Sequence, residues 1–220
     1  MLSTPNHLGS ALAMRFRLAV FPHPFPTDHP SFLAALAGFQ RLAASRSIHR
    51  QPLREGRYHT LLKYAKVWFT EMFLLQLLVA LSLGYDLLLR IGEAHGIYPH
   101  HVSAGQDGLL VCLERSKTDP LARGIYLRIT DASTAELLQQ LTSATKQGPL
   151  ITIPPSVIND FIRAVARAEG WQGFYSFHSL RHGKATDLWL RTGNIYTVMM
   201  AGRWKSRAAA RWYLHIISPQ

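Results

Sequence analysis

The sequence predicts a mainly α-helical protein with a small antiparallel β-meander, which places it in the α+β class. Two observations lead to this prediction. Apolar residues recur at helical spacing before residue 94 and after residue 132, whereas residues 101–130 hold short alternating segments between glycines. Hydrophobic residues make up 48% of the 220 residues, which is enough for one substantial core.

The chain is predicted to begin with an arm and not with a domain of its own. Residues 1–30 contain five of the twelve prolines and show no sustained periodicity. Phe32–Ala44 is predicted to form one helix, and Ser45–Tyr58 a basic linker. We therefore divide the chain into an N-terminal arm and linker, residues 1–52, and a folded body, residues 53–220.

The first helices of the body are predicted to be central and buried. Leu61–Leu81 is predicted as a long helix and Leu83–Glu93 as a second, with Gly84 between them as the break. The longest apolar run, Met72–Leu89, approaches the length of a membrane span, but polar residues interrupt it. We interpret this run as a buried helix, and no membrane partner is expected.

The meander and the later helices follow from the turn residues. Gly105–Gly108 is predicted as a turn, Leu109–Glu114 as a strand, Lys117–Gly124 as a polar connection and Ile125–Ile129 as a strand. Five further helices are each bounded by Gly, Pro, Ser or Asn, and they are predicted over Ser133–Thr145, Ser156–Glu169, His178–Arg191, Ile195–Ala201 and Ser206–His215.

The chain is strongly basic, with a net charge of +11 and a sequence pI near 10.2. From residue 163 onward there are nine lysines and arginines and only two acidic residues. Such a surface attracts a polyanion, and nucleic acid is favoured over an anionic membrane.

The single cysteine, Cys112, permits no internal disulfide and no cysteine-based zinc site, which suits a reducing compartment.

Residues near the C-terminus could together cleave a phosphodiester, a reaction that needs cations at the phosphate, a nucleophile, a base and an acid. His178 and Arg181 share one face at a helix start. Trp204 offers an indole N–H, and Tyr213 offers a phenol nine positions later. The alternatives are helix capping and surface charge for the first pair and core packing for the second.

Two further candidates lie upstream. Arg90 follows an apolar run, where a charge is costly unless it meets a ligand or a partner, and the alternative is an ion pair with Glu93. Lys117 lies between a strand and a turn, where a flexible ammonium can extend across a groove. The alternative for Lys117 is a solvated hairpin residue.

Several other chemistries are disfavoured. His178 and His182 stand four apart, but the zinc-protease helix needs glutamate directly after the first histidine, and Ser179 is there instead. The sequence contains neither a phosphate loop ending in Gly-Lys-Ser/Thr nor a Gly-x-Ser-x-Gly elbow. No metal and no small-molecule cofactor are therefore expected.

The order and spacing of the candidates resemble the catalytic domain of the tyrosine recombinases, the phage integrase and retrotransposon-recombinase group. The resemblance extends over residues 50–215 and rests on five segments: Leu89-Arg90-Ile91-Gly92-Glu93, Ser116-Lys117-Thr118-Asp119, His178-Ser179-Leu180-Arg181-His182-Gly183, Gly202-Arg203-Trp204-Lys205-Ser206 and Tyr213. The fourth segment has tryptophan where many relatives have histidine.

The resemblance implies a site-specific recombinase or integrase that cleaves and rejoins DNA through a 3′-phosphotyrosyl intermediate. Tyr213 would be the nucleophile, and Arg90 and Arg181 would hold the scissile phosphate. His178 would assist the deprotonation of Tyr213. The covalent link conserves the phosphoester, so rejoining needs neither ATP nor a metal.

The remaining implied roles are supporting ones. Lys117 would protonate the leaving 5′-hydroxyl, and Trp204 would support the phosphate pocket. Glu93 would orient the two arginines, with His182 as a further supporting residue. Four cations are expected to contact DNA: Lys184, Arg203, Lys205 and Arg207. The expected partners are duplex DNA and further copies of the chain on that DNA, in an intracellular compartment that contains DNA, the nucleus or the bacterial nucleoid.

Two alternatives stay open. The chain could be an inactive DNA-binding remnant of a mobile-element recombinase, since residues 1–52 are too few for the full core-binding domain of this group and would be its remnant. It could also be a type IB topoisomerase-like enzyme, which uses similar chemistry to relax supercoils.

Overall fold

The structure, a computed structural model, describes residues 50–106, 108–114 and 124–214. The helices in this part of the chain are α1 (Glu55–Trp68), α2 (Glu71–Asp86), α3 (Ile91–His95), α4 (Ala132–Ala144), α5 (Pro155–Ala168), α6 (His178–Thr192), α7 (Ile195–Gly202) and α8 (Arg207–Arg211). A short 3-10 helix covers Pro99–His101, and the strands are β1 (Val102–Gly105), β2 (Gly108–Leu113) and β3 (Ile125–Ile129). The predicted helical fold with one small antiparallel sheet is confirmed.

The predicted arm lies outside the described residues, as does its Phe32–Ala44 helix, so both stay predictions. The predicted boundary after residue 52 stays a prediction as well. At the start of the described chain, Arg50 forms a β-bridge with Phe174, and the Gln51 N–H donates to the Phe174 carbonyl at 3.0 Å.

The predicted helix break at Gly84 is wrong. α1 already ends at Trp68, two extended residues follow, and α2 then runs through Gly84 without interruption. A Cβ at Gly84 would lie only 2.6 Å from the Phe177 ring, so the missing side chain lets α2 approach the start of α6 closely. This glycine therefore serves helix packing, and the second predicted helix, Leu83–Glu93, is instead the end of α2, a non-helical link and α3.

The core is centred on α2. Every residue from Leu77 to Tyr85 is buried, and α2 packs against α1, α4 and α6. A helix surrounded on all sides needs apolar residues on all sides, which explains the long apolar run in the sequence. Within the described ranges, no helix has both the length and the apolar character needed to cross a membrane.

The sheet lies beside this core. Its strands pair antiparallel in the order β1-β2-β3, with Val111 opposite Val102 on one side and Leu127 on the other. β3 has the predicted bounds, and β2 begins and ends one residue before the predicted Leu109–Glu114 strand. Of the predicted Lys117–Gly124 connection, only Gly124 is among the described residues.

α6 runs through the interior and carries the His178–Gly183 segment. The Leu53 N–H donates to the Ser179 carbonyl at 2.9 Å, and a Cβ at Gly183 would overlap the Leu53 carbonyl oxygen. The chain at residue 53 therefore lies directly along α6, and this contact requires glycine at position 183.

The C-terminal helices are short and well capped. The Asn194 and Ser206 side chains accept hydrogen bonds from the first turns of α7 and α8. α8 ends at Arg211, earlier than the predicted Ser206–His215 helix, so Tyr213 lies in the turn that follows it. Tyr213 is therefore in a turn and not within a helix.

Candidate active site

Arg181 is the most buried charged residue in the described part of the chain, with no exposed surface. Its guanidinium donates to the carbonyl oxygens of Leu88 and Gly202. The guanidinium carbon lies 4.5 Å from the Trp204 ring centroid and 5.3 Å from that of Tyr213. The fold thus brings a cation and a phenol ring together although they are far apart in the sequence.

Burial, together with the positive charges of Arg90 and Arg203, lowers the pKa of Arg181 to about 10. The guanidinium still carries its full charge at neutral pH. Its Nε and the indole Nε1 of Trp204 are both buried, and neither has a hydrogen-bond partner among the described residues. Two adjacent side chains therefore offer N–H donors that lack an acceptor.

Glu93 holds a second arginine beside the first. Its carboxylate contacts Arg90 Nη1 at 2.7 Å and accepts from the Arg90 backbone N–H at 2.9 Å. The same carboxylate contacts Arg203 Nη2 at 2.8 Å. The ion pair proposed from sequence as the alternative role for Arg90 is present, but Arg90 keeps a quarter of its side chain exposed while Glu93 is buried. The pairing therefore leaves Arg90 accessible to a ligand.

The link between α2 and α3 connects these groups. Leu88 adopts a left-handed backbone conformation, with φ of +49°, which costs a residue with a Cβ about 1 kcal/mol. Its carbonyl accepts from Arg181 and, at 3.4 Å, from Arg203. The strained link therefore directs one carbonyl at two guanidinium groups.

Two histidine rings lie beside the Tyr213 ring. The His178 ring centroid lies 5.3 Å from that of Tyr213, and the His182 ring centroid lies 4.6 Å from it. Burial lowers the pKa of His178 to about 4, and the nearby charges of Arg50 and Arg181 act in the same direction. His178 is therefore neutral at pH 7.

Trp204 packs into the site through an unusual turn. α7 ends at Gly202, and Arg203 then adopts a left-handed conformation with φ of +57°. A Cβ at Gly202 would overlap the Trp204 ring. The ring centroid of Trp204 lies 4.5 Å from that of Tyr213. Glycine at position 202 therefore makes room for the indole that covers both Arg181 and Tyr213.

Solved structures share this arrangement of elements. The XerH site-specific recombinase bound to its palindromic difH substrate, in a post-cleavage complex, matches with a TM-score of 0.62 at 17% identity over 76% of this chain and 49% of that chain. The XerA recombinase matches with a TM-score of 0.60 at 17% identity, over 97% and 77% of the two chains. A lambda integrase tetramer bound to a Holliday junction matches with a TM-score of 0.62 at 14% identity, over 97% and 72%.

The chain has the tyrosine recombinase catalytic-domain fold. It spans about half the length of the XerH recombinase chain. No protein-family model and no curated protein sequence matches it. At these identities the likeness is one of fold.

Within this recombinase fold, five of the six predicted catalytic residues lie together: Arg90, His178, Arg181, Trp204 and Tyr213. The sixth, Lys117, lies outside the described residues, and its role stays a prediction. His182 and Glu93, predicted as supporting residues, lie against Tyr213 and Arg90.

The four cations expected to contact DNA divide into two pairs. Lys205 and Arg207 are exposed. Lys184 is mostly buried, and its ammonium lies 3.1 Å from the Asp86 carboxylate. Arg203 is also buried and pairs with Glu93. The placement of Lys184 and Arg203 favours internal roles over the direct DNA contact expected from sequence.

Sequence reasoning did not find the inward turn of Arg203 or the shared Leu88 carbonyl. No local pattern reports either one, because both depend on contacts between residues more than 90 positions apart. The nearest signal in the sequence is a charged residue directly after a helix-ending glycine, and such a residue is ordinarily predicted to lie on the surface.

One cluster in the described part of the chain brings possible metal ligands together: His100, His101 and Glu114. The Tyr98 backbone N–H donates to His101 Nδ1 at 3.2 Å, so a neutral His101 ring carries its proton on Nε2. That nitrogen faces Glu114 Oε1 at 3.2 Å. The buried histidine therefore presents a proton and not a lone pair to the cluster, which does not suit a metal ion.

Proposed function

We propose that this chain is a DNA strand-transfer enzyme of the site-specific recombinase type, with Tyr213 as the nucleophile. The observation that carries the proposal is the convergence of Tyr213 on Arg181 and His178. The Tyr213 ring centroid lies 5.3 Å from the Arg181 guanidinium carbon and 5.3 Å from the His178 ring centroid. A buried guanidinium, a neutral imidazole and a phenol in one place are the groups that nucleophilic attack on a phosphodiester needs.

The free donors support a phosphate at this place. Arg181 Nε and Trp204 Nε1 are buried donors without an acceptor in the described structure, and a nonbridging phosphate oxygen would supply one. Arg90, held by Glu93 but partly exposed, would contact the phosphate from the other side. The Tyr213 ring, which now covers Arg181, would turn away from it to admit the DNA.

The reaction then has two balanced steps. The Tyr213 oxygen forms a bond to phosphorus, the bond from phosphorus to the 5′-oxygen breaks, and His178 accepts the phenolic proton. Lys117 donates a proton to the departing 5′-oxygen. In the second step a 5′-hydroxyl attacks the phosphotyrosine and gives its proton to the Lys117 amine, the bond from phosphorus to the Tyr213 oxygen breaks, and the phenol leaves with a proton returned from His178. No metal takes part in either step.

The proposed partner is duplex DNA, on which several copies of the chain assemble. The net charge of +11 and the exposed Lys205 and Arg207 favour a polyanion. The structural neighbours include a lambda integrase dimer bound to a core site and a tetramer bound to a Holliday junction. For this chain, DNA binding and assembly are inferences from its charge and its fold.

The test is a covalent-trapping experiment. Full-length protein is incubated with nicked duplexes, in which cleavage beside the nick releases a short fragment and prevents rejoining, and adducts are resolved by denaturing electrophoresis. We expect an adduct with the wild type and none with Tyr213→Phe, because the ring is kept and only the attacking oxygen is lost. Tyr196→Phe, at an exposed tyrosine on α7, is the matched control and should retain the adduct.

Three results would contradict the assignment or favour one of its alternatives. An adduct that persists in Tyr213→Phe would show that another residue attacks. Retained duplex binding without any adduct from the wild type would instead support the binding-only remnant. Relaxation of supercoiled plasmid without strand exchange between two duplexes would favour the topoisomerase-like alternative.

A further inference from the structure

Arg203 has more interactions than a DNA-contacting surface arginine would need. Its side chain is only 8% exposed, and Nη2 contacts Glu93 Oε2 at 2.8 Å. Nη1 donates to the Leu87 carbonyl at 3.0 Å, and Nη2 lies 3.4 Å from the Leu88 carbonyl. A single side chain that follows α7 therefore bonds the link after α2 and the carboxylate that holds Arg90.

The backbone at this position does not favour arginine. The φ of +57° lies in the left-handed region, which glycine adopts freely and which a Cβ disfavours. An arginine here is accordingly explained by its side chain and not by the turn. The three contacts of the guanidinium offset the strain of the turn.

The charges around Glu93 indicate what the Arg203 side chain does. Arg90 and Arg203 each contact one oxygen of the Glu93 carboxylate, so the carboxylate charge is shared between two guanidinium groups. Without Arg203, the whole negative charge of the Glu93 carboxylate would act on Arg90. It would then offset the positive charge that Arg90 presents to solvent. With Arg203 present, the three positive charges of Arg90, Arg181 and Arg203 exceed the single carboxylate charge by two, which favours the negative charge on the nonbridging oxygens of the scissile phosphate in the transition state.

We propose that Arg203 is a positioning residue that acts through Glu93, holding the carboxylate and sharing its charge so that Arg90 stays oriented toward the scissile phosphate and its positive charge is not offset by the whole carboxylate. This inference rests on the proposed function, and it replaces the direct DNA contact expected for Arg203 from sequence.

The experiment measures single-turnover cleavage of the nicked duplex, together with duplex affinity, in four proteins: wild type, Arg203→Gly, Arg203→Lys and Arg167→Ala. Glycine suits the left-handed turn, so Arg203→Gly deletes the guanidinium without adding strain. We expect its cleavage rate to fall by about 10- to 100-fold, the range typical when a partner of an active-site ligand is lost. Duplex affinity should change by less than about threefold, since no phosphate contact is lost.

The other two variants separate charge from folding. Arg203→Lys keeps the positive charge beside Glu93 but loses the planar fork, so its rate should lie between those of the wild type and Arg203→Gly. Arg167→Ala removes an exposed cation near the end of α5 and should cleave like the wild type. If Arg203→Gly unfolds, the Arg203→Lys comparison still decides, because an unchanged rate there overturns the inference.

A second substrate distinguishes positioning from general damage to the fold. In a methylphosphonate duplex one charged nonbridging oxygen of the scissile phosphate is replaced by a neutral methyl group, so cleavage depends less on the charge of Arg90. Positioning predicts that Arg203→Gly loses much less activity on this substrate than on the phosphate. An equal loss on both substrates overturns the inference, since a damaged fold would act alike on the two.

Coupling to Glu93 provides the last measurement. If Arg203 acts through Glu93, the double variant Arg203→Gly with Glu93→Gln should cleave no more slowly than the slower single variant. Multiplied losses overturn the inference. If the wild type is active and Arg203→Gly cleaves at the same rate, only the positioning role is overturned. If the wild type never forms an adduct, the proposed function is overturned, and the positioning role with it.

Discussion

At the residue scale, the site depends on a charge placed where water cannot solvate it. Arg181 has no exposed surface, and a buried guanidinium is stable only when its donors and its charge are compensated. Two carbonyl oxygens and the faces of two aromatic rings provide the compensation. Those contacts use only some of its five N–H groups, so the residue remains able to bind an anion.

His178 shows the same burial in a group that titrates. Its folded-state pKa of about 4 lies below the ordinary 6.5, so as the pH falls the unfolded chain binds the proton first. The neutral ring therefore contributes stability above pH 6.5, and this contribution is lost as the pH falls toward 4. We expect the wild type to lose on the order of 3 kcal/mol more unfolding free energy than His178→Gln between pH 7 and pH 4.

Urea unfolding at several pH values between 7 and 4 measures this difference. His59→Gln, at an exposed histidine on α1, is the matched control because it removes an imidazole without changing the buried site. Parallel pH profiles for the wild type and His178→Gln would contradict the burial of a neutral ring at position 178.

At the element scale, the site is assembled by close helix contacts at glycines. Gly84 and Gly183 lie on α2 and α6, and each lies where another chain segment approaches too closely for a side chain. The two contacts differ in what a Cβ would meet. At Gly84 the neighbours are the Phe177 and Leu180 side chains, whereas at Gly183 the neighbour is the backbone of Leu53.

A series of Gly→Ala substitutions tests this packing. Gly56, near the start of α1, has open space around it, so Gly56→Ala should raise the unfolding free energy by up to about 1 kcal/mol through helix propensity. Gly183→Ala should lower it by about 3 kcal/mol or more, because a backbone cannot rotate away as a side chain can. Gly84→Ala should lie between them.

Chemical denaturation of the three variants gives the ranking directly. If Gly183→Ala is as stable as Gly56→Ala, then the chain at Leu53 does not lie against α6 in solution, and the placement of the His178–Gly183 segment must be revised.

At the scale of the whole molecule, charge determines how the protein meets DNA. The chain carries a net charge of +11, but the cations near the site are not equivalent. Lys205 and Arg207 are exposed, whereas the Lys184 ammonium is paired with Asp86 and lies 4.6 Å from the Tyr85 ring centroid. Only an unpaired, accessible cation can release a counterion from the DNA backbone.

The salt dependence of duplex binding should report this difference. Lys205→Ala and Arg207→Ala should each reduce the slope of log K against log salt by about 0.9, the value for one phosphate contact. Lys184→Ala should change the slope much less. Fluorescence anisotropy from low to moderate salt measures the slopes, with Arg167→Ala as the control, and a larger effect of Lys184→Ala than of Lys205→Ala would contradict the ion-paired placement.

The predictions that held are those that local patterns support. The mainly helical class with one small antiparallel sheet, the bounds of β3 and the start of α6 at His178 follow from apolar period and turn residues, which act over a few positions. The break at Gly84 and the helical placement of Tyr213 were wrong. A glycine in a close contact and a glycine in a turn look alike in a sequence, and α8 ends at Arg211, before Tyr213.

The sequence by itself determined the fold class, the basic surface and the set of side chains from which the candidate site is built, since each depends on composition, period or the order of short motifs. Tertiary structure alone decided that Arg203 turns inward to Glu93, that Lys184 pairs with Asp86 and that His178 is held neutral. These outcomes depend on burial and on charges brought together from distant positions, as when Arg50 and Arg90 act on His178. Electrostatic energies depend on distance in space and on solvent exclusion, and the linear order of residues specifies neither.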